Sequence, residues 1–154
     1  VYRHVVHDER MGLGVAQEFA EENNGRFGVK MKGGDGSNNQ LLSKMIQSAD
    51  IVIGSAKAGF QVLSKAQLAK AENLIVAADA NAVPPLGIEG VEVHDMGKEL
   101  DFTPNKAVGI GALAMGNIKY KVHYRMFQMM KETDKPLYLD HDEAFKVARE
   151  YAAK

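Results

Sequence analysis

Cysteine is absent from this sequence, so the chain can form no disulfide, offers no thiolate nucleophile and supplies no cysteine ligand for zinc. Charge of one sign is missing too: 19 Lys and Arg face 20 Asp and Glu, for a formal net charge of −1. No basic field is left to hold a phosphate backbone by counterion release, and nucleic acid is not an expected partner. No apolar run approaches the roughly 20 residues of a membrane span, and no signal-peptide pattern opens the sequence. The expected location is the cytoplasm. What is present, 45% hydrophobic and 25% charged residues over 154 positions, is ordinary for one globular domain. It is short for an enzyme that carries both a cofactor domain and a substrate domain.

Strand-like and helix-like stretches alternate along the chain. Strands are expected at 2–6, 27–31, 50–54, 74–78, 91–94 and 107–110. Helices are expected at 13–22, 40–49, 65–72, 114–132 and 143–153. Asn38 or Asn39 can cap the second of these and Ser64 the third. Continuous apolar strands such as IVIG and LIVAA describe a parallel sheet covered on both faces, because a face meeting water would alternate in polarity. The expected fold is therefore α/β, a doubly wound parallel sheet. Such sheets bind ligands beyond the carboxyl ends of their strands. Residues 8–10, 54–56, 79–81 and 109–111 should line that edge.

A complete dinucleotide fingerprint is missing. The fold normally opens with a strand, a G-x-G-x-x-G turn and a helix whose N-terminus receives the pyrophosphate. Here Gly12 and Gly14 in RMGLGVA follow a strand, without the third glycine at its spacing. The expectation is that this is the second β-α unit and that the first lies upstream of Val1. The loop GGDGS lacks the lysine spacing of a P-loop and reads as a turn.

The stretch NLIVAADANAVPPLGIEG runs a buried strand into Asp79 and Asn81 and then into Pro84 and Pro85. On residue chemistry alone this is a strand end with an Asx turn and a proline stop. It is also a carboxylate and an amide at the mouth of a sheet, where a ligand would sit.

Two motifs decide between these readings. IVAADANAVPPLGIEGVEVHDMGKE, followed by AVGIGALAMGNIKYKVHYRMF, closely resembles the C-terminal part of the NADP-dependent methylene-tetrahydromethanopterin dehydrogenases. In that family a strand ends in D-x-N-A-x-P-P-L-G-I-x-G, and a later G-x-x-K-x-K-x-H opens a long helix. The likeness continues more loosely backward through ADIVIGSAKAG to VVHDER. It implies a partial NAD(P)-binding Rossmann-like domain over residues 1–154, with the family's N-terminal substrate domain absent from this chain. It also implies hydride transfer from methylene-tetrahydromethanopterin to NADP, or to NAD as well, and a homo-oligomer, commonly a trimer. The rival readings are methylene-tetrahydrofolate as substrate and a truncated, non-catalytic dinucleotide-binding or assembly module.

The resemblance assigns residues one at a time. Lys119 matches a lysine near the reacting centre, where an ammonium can orient the pterin; otherwise it is a solvated residue early in a helix, where the dipole mildly disfavours a cation. Arg10 matches an arginine that grips the 2′-phosphate of NADP. Asp8, just before it, departs from the family and is the kind of carboxylate that holds the free ribose hydroxyl of NAD. Ser55 and Ala56 are small enough to allow backbone approach to a dinucleotide, though small residues there also serve packing alone; Ala78, Asp79 and Asn81 stand at the strand end nearest the implied nicotinamide, and Gly109 either lies beside it or only relieves crowding.

Other features carry less. Met126, Met129 and Met130 sit at helical spacing and read as core or subunit packing. Asp140, His141, Asp142 and Glu143 look like a metal cluster, but an aspartate three residues before a glutamate is a helix-capping arrangement, and no metal is expected. His4, His7 and His123 have no convincing partner for general-base work.

Overall fold

The computed structural model describes residues 13–152. The expected strand at 2–6, Asp8, Arg10 and Gly12 lie outside this range. Within it the order is α1 (Leu13–Phe27), α2 (Asn39–Gln47), β1 (Ile51–Gly54), α3 (Lys65–Leu68), β2 (Val76–Asp79), β3 (Met96–Glu99), β4 (Val108–Ile110), α4 (Ala112–Lys131) and α5 (His141–Ala152). The helix starts follow local chemistry. Asn38 Oδ1 accepts from the amides of Gln40 and Leu41, both at 3.1 Å, and so caps α2. Ser64 and Gln67 form a reciprocal capping box on α3. Asp140 Oδ1 accepts from the amides of Asp142 and Glu143, which makes it the cap of α5.

Strands β1, β2 and β4 are parallel, with Gly54 opposite Asp79 and Ala78 opposite Ile110. The sheet order is β1-β2-β4-β3, and β3 runs antiparallel at one edge. The α/β class stands, with a mixed sheet in place of an all-parallel one.

Two expected strands are replaced. At 27–31 the helix α1 continues to Phe27 and the chain then leaves regular structure. Gly28 ends the helix at φ 63°, its amide donating to Asn24 O, while the Asn24 side chain pairs with both the amide and the carbonyl of Met31. With those groups engaged by one asparagine, no strand ladder forms there. At 91–94 the chain turns: Asp95 Oδ2 accepts from the Glu92 amide at 2.8 Å, and the Asp95 amide donates to Glu92 O. The strand comes later, at Met96–Glu99, with an irregularity at Gly97, whose φ is 81°.

Side chains alternate across a sheet, so paired residues share a face. Val52, Ala77 and Gly109 point to one side, where Leu42, Ile46, Leu68, Leu74, Ile88 and Leu100 build the core. Burying each such leucine or isoleucine contributes about 1.5–3 kcal/mol. On the other side Ile51 and Ile53 remain 56% and 67% exposed. The expectation that both faces are covered therefore fails over β1 among the described residues. Helices α4 and α5 pack on one another, with Lys121 Nζ 6.0 Å from the ring centre of Tyr151.

Candidate functional site

Because β1, β2 and β4 are parallel and in register, their carboxyl ends come out side by side at Gly54, Asp79 and Ile110. Two loops continue from the first two ends, and the backbone ties them together. The Ala80 amide donates to Gly54 O at 2.8 Å; the amides of Val62 and Leu63 donate to Gly87 O at 2.8 and 3.1 Å; the Glu89 amide donates to Leu63 O at 2.9 Å. Leu63 and Ile88 form a parallel bridge. The loop after β1 and the loop after β2 are in this way one surface.

Asp79 and Asn81 complete the tie with side chains. Asp79 is 1% exposed; its Oδ1 accepts from the Asn81 amide at 3.0 Å and its Oδ2 from the Ile88 amide at 2.9 Å. Asn81 is 4% exposed; its Oδ1 accepts from the amides of Gly59 at 3.3 Å and Val83 at 3.0 Å, and its Nδ2 donates to Pro85 O at 3.1 Å. The peptide between Pro84 and Pro85 is cis. The Asx-turn reading of this stretch is visible in these bonds: both polar side chains are turned into the loop.

The remaining sequence candidates fall in different places. Ser55 is exposed and Ala56 half-buried directly beyond β1. Ala78 points to the sheet face opposite Asp79 and is buried. Gly109 faces the core, where an added Cβ would stand 3.2 Å from Leu100 Cδ2 and 3.3 Å from Asp95 Oδ2. Lys119 is exposed on α4, seven residues past its first residue, or about 10 Å along the axis. Asp8 and Arg10 lie outside the described residues. Met126 and Met129 are half-buried and Met130 is exposed. His123 is exposed on α4. Among the described residues no three His, Asp or Glu side chains converge as a metal would require.

The N-terminus of α4 is not an open anion site. The Leu113 and Ala114 amides donate to Val93 O at 2.8 and 3.4 Å, and the Gly111 amide donates to Asp95 O at 2.8 Å. Three of the amides around this helix start, those of Gly111, Leu113 and Ala114, are already engaged.

Sequence reasoning missed three parts of the edge. Gly87 leaves room for the buried carboxylate, since a Cβ there would lie 2.7 Å from Asp79 Oδ1. Gly59 offers its amide to Asn81 with φ at 74°. Lys57 is an exposed cation on the loop after β1. The partner of Gly59 was not legible in the sequence, because Gly59 and Asn81 are 22 residues apart.

Two surface hollows open elsewhere. One of about 670 Å³ is lined by Gln47, Ala69, Lys70, Glu72 and Pro104, and one of about 250 Å³ includes Lys65, Lys98, Glu99 and Asp101. The first lies at the amino ends of the parallel strands, away from the edge where open α/β sheets place ligands; the second lies beside β3 and the far end of the loop after β2, at Gly90 and Glu92. The guanidinium of Arg125 is raised in pKa by its hydrogen bond to Glu132, and the ammonium of Lys146 by its hydrogen bond to Glu143; both are exposed surface pairs.

No family model matches the chain. Over 127 residues, 82% of its length, it is 41% identical to the NAD(P)-dependent methylenetetrahydromethanopterin dehydrogenase of Methylorubrum extorquens strain AM1, of which it covers 42%. Over 140 residues, 91% of its length, it is 30% identical to the Bifunctional protein MdtA of the same organism, of which it covers 47%. The chain spans somewhat less than half the length of the curated relatives it matches.

Proposed function

Because this chain shares its family with the NAD(P)-dependent methylenetetrahydromethanopterin dehydrogenase of M. extorquens, we propose that the protein carrying it oxidises methylene-tetrahydromethanopterin, with residues 1–154 contributing the NAD(P)-binding part. The observation that carries this reading is the 41% identity over 82% of the chain. The described edge fits the cofactor. On the joined loops Ser55, Ala80 and Ala82 are small and exposed and Ala56 is half-buried, beside the exposed Lys57 and Val83. A flat dinucleotide can lie against such a surface at backbone distance.

When bound, the nicotinamide supplies the acceptor for the hydride that leaves the methylene carbon, giving the methenyl product. The protein's part is orientation and electrostatics. The joined loops form the floor of the groove. Lys119 orients the pterin or biases the charge on its ring system. Arg10 holds the 2′-phosphate of NADP and Asp8 the ribose hydroxyl of NAD, so the two residues together favour use of both cofactors.

Among the described residues the sheet face at Ile51 and Ile53 is left exposed, which supports a fold that further chain or a second subunit covers there. The aromatic residues Tyr120, Tyr124 and Phe127, all exposed along α4, support a homo-oligomer. No described helix is long and apolar enough to cross a membrane, and the proposed location is the cytoplasm.

The test is NADP- and NAD-linked oxidation of methylene-tetrahydromethanopterin, and in parallel of methylene-tetrahydrofolate, by the full-length protein. Turnover with the first pterin is expected. Turnover confined to the folate moves the substrate assignment, and cofactor binding without turnover on either leaves a binding module.

A further inference from the structure

We propose that Asp79 and Asn81 serve the dinucleotide groove as positioning residues, latching the loop after β1 to the loop after β2, and do not touch the cofactor themselves. The inference rests on the cofactor-binding reading of the carboxyl edge and changes which groups do the binding there.

Access argues first. Both oxygens of the Asp79 carboxylate are engaged, and the group is walled in by Gly54, Gly87 and Ile88, with the Gly87 position leaving no room even for a methyl group. A ligand atom cannot reach it without opening the loop. Asn81 is as enclosed, and its amide oxygen and nitrogen already serve three backbone partners.

The nature of the bonds argues second. A buried carboxylate is costly to desolvate unless its hydrogen bonds are met, and here they are met by amides at the two ends of one loop. Asn81 then bonds outward to Gly59, on the other loop. The two side chains form a relay: Asp79 fixes the shape of its own loop and the Asn81 amide, and Asn81 fixes the second loop to the first. Among the residues on the two loops held by this relay are the small Ser55, Ala80 and Ala82, which are exposed, and Ala56, which is half-buried.

Gly87 belongs to the same device. A Cβ there would stand 2.7 Å from Asp79 Oδ1 and 3.3 Å from its Cγ, and so would drive the carboxylate off its amide partners. Gly87→Ala therefore loosens the latch without altering either polar residue.

The test uses the full-length protein. Cofactor affinity is measured by titration with NADP and NAD, with kcat and KM for cofactor and pterin, on wild type, Asn81→Ala, Asn81→Asp, Gly87→Ala and the Asn81→Ala/Gly87→Ala double variant. Asn81→Ala and Gly87→Ala are each expected to raise the cofactor KM roughly tenfold while the pterin KM stays within about twofold, since a loosened groove misplaces the cofactor first. The double variant is expected to fall short of the product of the two, because both act on one latch. Asn81→Asp keeps an oxygen that accepts from the Gly59 and Val83 amides but loses the donor to Pro85 O and buries a second carboxylate beside Asp79, so it is expected to do no better than Asn81→Ala. A cofactor KM unchanged in Asn81→Ala, fully multiplicative effects, or an Asn81→Asp variant that restores wild-type cofactor KM would overturn the proposal. Should one single variant fail to fold, the other still decides the cofactor KM. Wild type that binds neither dinucleotide overturns the cofactor reading itself, before any variant is compared.

Discussion

The Asp79 carboxylate accepts from the Ile88 amide at 2.9 Å, closing a loop whose ends are nine residues apart upon a charge that is buried in the core. That relationship ties stability to the candidate site. Asp79→Ala removes the acceptor of two buried amides, those of Asn81 and Ile88. Each unsatisfied donor costs about 1–3 kcal/mol, so a loss of roughly 2–6 kcal/mol is expected in chemical denaturation of the full-length protein. A loss below about 1 kcal/mol would show that water replaces the carboxylate at little expense.

Two glycines around α4 should respond in opposite directions. At Gly111 a Cβ would lie 2.0 Å from Glu92 O and 2.5 Å from the Val93 carbonyl carbon, so Gly111→Ala must displace backbone. It is expected to destabilise by about 1–3 kcal/mol or more. At Gly116, inside the helix, nothing lies within 4 Å of the added Cβ. Gly116→Ala is expected to stabilise by about 0.5–1 kcal/mol through backbone entropy. Melting temperatures of the two variants check the pair. Activity lost from a stabilised Gly116→Ala protein would indicate that a ligand passes close to that backbone.

Lys119 is exposed, and its removal should leave the fold alone. Lys119→Ala is expected to change stability by no more than about 0.5 kcal/mol. If the ammonium acts at the reacting pterin, turnover falls roughly 100-fold or more, as for loss of one preorganised electrostatic group. Steady-state kinetics with denaturation on the same sample separates the two effects. Unchanged kcat and pterin KM would return Lys119 to the solvated surface.

Cofactor choice is predicted to divide between Arg10 and Asp8. Arg10→Ala is expected to raise the KM for NADP by roughly 10- to 100-fold, the worth of a charge-assisted pair, with a smaller effect on NAD. Asp8→Ala should do the reverse, weakening NAD and sparing NADP. Competition titrations of both dinucleotides against each variant read the split. Equal effects on the two cofactors would contradict the assignment.

How much of this was legible in the sequence depends on whether the deciding contact was local. The caps at Asn38, Ser64 and Asp140 and the strand IVIG follow from neighbouring residues and stand in the structure, and the strand expected at 74–78 stands shifted to Val76–Asp79. The strand expected at 27–31 fails because Asn24, several positions earlier, takes the Met31 backbone. The strand expected at 91–94 fails because Asp95 staples that turn and delays pairing to Met96. The site was legible as a place, since parallel strands bring their carboxyl ends together, but not as a set of roles. Nothing in D-x-N-A-x-P-P-L-G says that Asp79 faces Gly87 or that Asn81 reaches Gly59; those are tertiary contacts across a folded loop.

The measurement that tests the central claim most directly is hydride transfer by the full-length protein, followed as reduction of NADP or NAD in the presence of methylene-tetrahydromethanopterin. The account predicts turnover that requires both the pterin and a nicotinamide dinucleotide. Failure of a folded, full-length protein to reduce either cofactor with this pterin would contradict it.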